Sequence, residues 1–123
     1  MMKNHLLRKH FLKPQAMGII DDPTFSSIVK SSKCNDIVKM MVIVDAHGKI
    51  ADIRTQIYGC GYAIAASSCF NELSRGLYIA DVMEKAETII QELEAGTPTE
   101  NIACLSLPLK AFQQIWEQYR AKI

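Results

Sequence analysis

The sequence predicts an α+β domain, a small three-stranded antiparallel sheet with helices packed on one face. Three observations carry this. Residues 26–58 hold β-branched runs around one glycine-ended turn, and from Gly61 onward the apolar positions recur at helical three- and four-residue steps. Strands precede helices instead of alternating with them, which argues for segregated layers. At 123 residues and 49% hydrophobic, one domain over 1–123 can bury a core without covalent staples.

The opening "MMKNHLLRKHFLK" sets His5 and His10 among Lys3, Arg8, Lys9 and Lys13 and runs into Pro14. It is expected to form one or two helical turns in a mobile N-terminal arm covering residues 1–20, solvated in the simplest reading, with a partner-docking arm as the alternative. "GIIDDPTFSS" reads as a loop with Asp21, Asp22 and Pro23 as its turn chemistry. A strand around "TFSSIVKSS" should pair with a long hairpin whose arms are "DIVKMMVIVD" and "KIADIRTQIY" and whose turn is "DAHG". Alternation in the second arm places Ala51, Ile53, Thr55 and Ile57 on one face.

Ala66, Phe70 and Leu73 predict a helix over 62–75 that covers the sheet. "DVMEKAETIIQELEAG" predicts a second, with Asp81 as its cap and Gly96 as its stop. "LPLKAFQQIWEQYRAKI" predicts a third, with Pro108 in its first turn and a stripe of Leu109, Phe112, Ile115, Trp116 and Tyr119. Met40, Met41, Phe70, Phe112 and Trp116 are expected in the core.

Fourteen basic against 13 acidic residues leave a net charge of +1, without the basic footprint of a nucleic-acid or anionic-membrane binder. No apolar run approaches the length of a membrane span, and the N-terminus lacks the apolar stretch of a secretory signal. A cytoplasmic protein with reduced thiols is expected.

Of four cysteines, two end the hairpin. Cys34 lies 11 residues before Asp45 and Cys60 lies 12 residues after Gly48, so the arms are nearly equal and their far ends are neighbours. Paired strands run about 5 Å apart, which brings these thiols to bridging range. Asp36 follows Cys34 by two residues and shares its face in an extended strand. Cys60, held between Gly59 and Gly61 on what should be a bare turn, and Cys104 both shortly precede helices, whose N-terminal partial charge favours thiolate. Three thiolates and one carboxylate suffice for a tetrahedral metal site or a small iron–sulfur cluster, and ligand type does not separate zinc from iron. The spacing C-x25-C-x43-C is not a local motif, so three unrelated buried cysteines remain an alternative. Cys69, nine residues after Cys60 and about 13 Å further along the helix, reads as a buried small hydrophobe, and His47 in the hairpin turn as solvent-facing.

"HFLKPQAMGIIDD", "KCNDIVKMMVIVD", "GKIADIRTQIYGCGYAIAASSCFNELSRG" and "ACLSLPLKAF" together resemble the iron–sulfur cluster scaffold family, of the IscU type and the N-terminal domain of NifU. The resemblance implies a non-catalytic platform on which a [2Fe–2S] cluster forms from iron and sulfur supplied by a cysteine desulfurase, then passes to recipient apo proteins. It implies Cys34, Asp36, Cys60 and Cys104 as ligands, with Cys104 the leading sulfur acceptor. No long insertion separates Cys60 from Cys104, which favours the IscU type over the SufU type.

The departures are specific. Asn35 stands where the family has glycine, Ala103 where it has histidine, and "TPTEN" where it has the chaperone-recognition segment, which argues against a dedicated Hsp70-type handoff. Ala103 and the altered "TPTEN" keep open a zinc-holding interaction module that binds or regulates a desulfurase without carrying a cluster. A thiol enzyme would need a positioned base, and none of His5, His10 and His47 falls predictably near a thiol. A cluster at an exposed end also allows two protomers to share it as a homodimer.

Overall fold

The computed structural model describes residues 2–31 and 35–122. Helix α1 (His5–Leu12) is followed by strands β1 (Phe25–Lys30), β2 (Ile37–Val44) and β3 (Ile50–Tyr58). Four helices then follow: α2 (Gly61–Ser74), α3 (Ile79–Glu94), α4 (Thr99–Leu105) and α5 (Leu107–Lys122). The sheet runs β1-β2-β3 and is antiparallel at both pairings, as expected.

The hairpin register pairs Ile37 with Tyr58 at its far end. At the turn end the register slips: Ile43 faces Asp52 but Val44 faces Ile50, so Ala51 is the unpaired residue of a bulge. The slip corrects one expectation. Ile50, not Ala51, is buried with Ile53 and Thr55, because one extra residue reverses the alternation beyond it. In the turn itself the Asp45 carboxylate accepts the N–H groups of His47 and Lys49, both at 2.9 Å.

The main core lies between the sheet and the helices. Val38, Met40 and Val42 of β2 meet Phe70 of α2, Val82 of α3, and Phe112 and Ile115 of α5. Met41 is equally buried on the opposite face, where the Ile20 N–H reaches its sulfur. Residues 16–18 extend along the outer edge of β3, with Thr55 exchanging backbone hydrogen bonds with Ala16 and Gly18 at 3.0 Å each. Trp116, expected in the core, is half-buried and stacks on Tyr119.

Helix α2 is the hub. Its small residues Ala63, Ala65, Ala66, Ser67 and Ser68 are all buried, so helix and sheet approach it from opposite sides. The segment expected as a solvated arm lies against it. Leu7 is fully buried, and buried His10 places Nδ1 2.7 Å from Ser68 Oγ, which also accepts the Gln15 N–H. Asn4 joins two helix ends: its Oδ1 accepts the N–H groups of Leu6 and Leu7, while its Nδ2 donates to the carbonyls of Glu92 and Ala95 at the end of α3. Gly96, at a φ of 76°, terminates α3 as expected. Tyr78 occupies the N-cap position of α3, so Asp81 is not the cap; it sits in the first turn, where a carboxylate is favourable.

Candidate metal centre

Three segments distant in sequence meet at the end of the sheet opposite the hairpin turn. Asp36 immediately precedes β2, Cys60 follows β3 as the N-cap residue of α2, and Cys104 lies in the last turn of α4. One carboxylate oxygen and the two sulfur atoms all lie within 4.8 Å of one another. A single metal centre can accept all three, since Zn–S bonds of about 2.3 Å allow sulfur atoms to sit nearly 4 Å apart across a tetrahedral ion.

Asp36 is held in place by Cys60. The Cys60 N–H donates to Oδ1 at 3.2 Å, and the Cys60 thiol donates to Oδ2 at 3.4 Å. The N–H groups opening a 14-residue helix lie beside this point, and its first turn holds no acidic residue, so the surroundings favour an anionic ligand set.

The glycines about Cys60 have two different reasons. A Cβ on Gly59 would stand 2.5 Å from Asp36 Cγ and Oδ1, so glycine admits the carboxylate against the backbone. A Cβ on Gly61 would meet Phe11 Cε1 at 2.7 Å and Met2 Cε at 3.2 Å, so this glycine accommodates the N-terminal segment. The expectation of a thiol on a bare turn is therefore corrected. Cys60 is half-buried, Asp36 is 4% exposed and Cys104 only 1%.

Cys104 precedes α5 by three residues, as expected, but the segment before it is not a loop. The segment from Thr99 forms the seven-residue α4, and the thiol lies at the carboxyl end of that helix, with α5 starting at Leu107. The partial charge of a helix N-terminus thus acts at Cys60 but not through α4 at Cys104.

Cys34, the fourth expected ligand, lies outside the described residues, two positions before Asp36 in the sequence. Cys69 is buried, and burial pushes its thiol up to about 11, which suits the expected small hydrophobe and not a ligand. His47 is exposed in the turn at the other end of the hairpin. None of Cys60, Cys69 and Cys104 is disulfide-bonded. Among the described residues, no helix is long and apolar enough to cross a membrane.

The family model of the NifU-like N-terminal domain matches residues 2–123. The chain belongs to this family. Among relatives of this NifU-like domain is the iron–sulfur cluster assembly enzyme IscU of Drosophila melanogaster, 31% identical over 117 residues, covering 93% of this chain and 75% of the relative. The mitochondrial iron sulfur cluster assembly protein 1 of Yarrowia lipolytica is 30% identical over 116 residues; the match covers 92% of this chain but 64% of the relative's length. Among solved structures, the N-terminal part of a NifU-like protein from Brucella abortus superposes with a TM-score of 0.80 at 16% identity, covering 99% of this chain and 96% of that one, a likeness of fold.

Proposed function

We propose that this NifU-like domain is a non-catalytic scaffold on which a [2Fe–2S] cluster is assembled through Cys34, Asp36, Cys60 and Cys104. Iron and sulfur from a cysteine desulfurase are its cargo, and recipient apo proteins take the finished cluster. The observation that carries the reading is the convergence of Asp36, Cys60 and Cys104 within 4.8 Å from three separate segments. Thiolates suit iron–sulfur chemistry, and three thiolates with one carboxylate leave a [2Fe–2S] centre with a net charge of about −2, which the N-terminus of α2 partly offsets.

The half-buried Cys60 is the most accessible of the three described donors, whereas sulfur delivery to Cys104 requires the desulfurase to open the site around a thiol only 1% exposed. Handover would then be gated by displacement of the surrounding segments, which a cluster shared within a homodimer would also require.

Anaerobic reconstitution with iron and sulfide tests the reading. A di-iron Mössbauer signal, followed by its transfer to an apo ferredoxin, is the expected result. An unchanged cluster in Cys34→Ser, or no cluster in the wild type, overturns it.

The enclosed donor set also favours a second reading, a zinc-holding module that regulates a desulfurase, since structural zinc sites are closed and tetrahedral. Zinc that added iron and sulfide cannot displace, in protein purified anaerobically, would select that reading.

A further inference from the structure

We infer that Cys60 and Cys104 form an attacking and resolving dithiol pair, which a low-molecular-weight disulfide oxidises to an intramolecular disulfide. As regulation of the proposed site the inference rests on the scaffold reading; as thiol chemistry it needs no metal, and its test reads thiols alone.

Two observations set the order of events. The sulfurs lie within 4.8 Å, so closure to a bond of about 2.05 Å needs a movement of less than about 3 Å. Their accessibilities differ, with Cys60 half-buried on the β3–α2 connection and Cys104 almost fully enclosed. A small oxidant therefore meets Cys60 first. The short connection between β3 and α2 carries one sulfur, and α4, a helix of seven residues in which Cys104 and Leu105 are the buried ones, carries the other.

The chemistry balances in two exchanges. The Cys60 thiolate attacks one sulfur of the disulfide RSSR, forming a mixed disulfide and releasing RS⁻. The Cys104 thiolate then attacks the Cys60 sulfur of that mixed disulfide, forming Cys60–Cys104 and releasing a second RS⁻. The two cysteines are oxidised by two electrons, RSSR is reduced to two thiols, and the protons leave with them. Ring closure between held neighbours outpaces exchange with dissolved thiol, so the mixed disulfide is transient. The product withdraws two thiolates from the proposed ligand set.

Glutathione disulfide is the probe. Metal-free protein is exposed to it, quenched in acid over a time course, alkylated, digested and mapped by mass spectrometry. The expected wild-type result is a Cys60–Cys104 disulfide with two alkylatable thiols lost, preceded by glutathione on Cys60. Cys104→Ser should accumulate the mixed disulfide on Cys60, and Cys60→Ser should leave Cys104 reduced over the time in which the wild type converts fully. Stable glutathione on wild-type Cys60, first modification at Cys104, or a bridge to Cys34 or Cys69 would overturn the inference. The wild-type map needs no variant to fold, and failure of cluster reconstitution would leave it unaffected.

Discussion

Replacing Gly59 by alanine separates a positioning role from mere turn flexibility. The new methyl would stand 2.5 Å from Asp36 Cγ and Oδ1 and 2.9 Å from its Cβ, too close on all three atoms. Either the backbone shifts, at the usual overpacking cost of about 1–3 kcal/mol, or Asp36 rotates away and forfeits its bonds to Cys60, a loss of about 1.5–3 kcal/mol. Gly59 has no left-handed φ, so alanine also restricts the unfolded chain and returns about 0.4–1 kcal/mol. The net expectation for Gly59→Ala is a loss of about 1–2 kcal/mol in urea unfolding. A fall in zinc affinity of about 10–100-fold should accompany it, comparable with losing a group that orients metal ligands. Gly61→Ala is the internal control. Its methyl meets the tips of Phe11 and Met2, which can swing aside, so its stability should stay within about 1 kcal/mol of wild type and its metal affinity should be unchanged. Equal effects of the two substitutions, or a Gly59→Ala protein that binds zinc like wild type, would refute the reasoning.

Three further outcomes follow from the packing. Asn4→Ala removes the cap of α1 and its bonds to the end of α3, and should cost about 1–2 kcal/mol by urea unfolding, with amide exchange rising in α1 before the sheet. Burial lowers the pKa of His10 from 6.5, with the charge of Glu72 opposing and that of Lys9 assisting. The folded state therefore binds fewer protons than the unfolded chain, so the contribution is full above pH 6.5 and is lost as the pH falls from there through the lowered folded value. Urea unfolding of His10→Gln should show a shallower acid-side decline than wild type. In native protein, iodoacetamide at pH 8 should alkylate Cys60 while Cys69 stays unmodified, because the Cys69 thiol titrates at about 11 and is buried.

The hairpin was legible because alternation and turn chemistry are local, and equal arm lengths alone put the segments flanking Cys60 and Asp36 at one end. The bulge at Ala51 was not, since register depends on what the partner strand offers. Helix α4 is not legible because seven residues after Pro98 carry too little periodicity, so the sequence shows Cys104 only as a residue shortly before α5. The docking of α1 was hidden for a different reason. Its burial depends on small residues of α2 such as Ser68, 58 positions beyond His10, and a basic sequence reads as solvated until that partner surface is known. Gly59 looked like a means of exposing a thiol, and only the position of Asp36 shows that it makes room for a carboxylate.

The central claim is that thiols from the start of α2 and the end of α4 belong to one metal centre. Zinc K-edge X-ray absorption on metal-loaded protein tests this most directly. The wild type should show sulfur scatterers at about 2.3 Å, and Cys60→Ser and Cys104→Ser should each lose one of them. A sulfur shell that neither substitution changes would contradict the account.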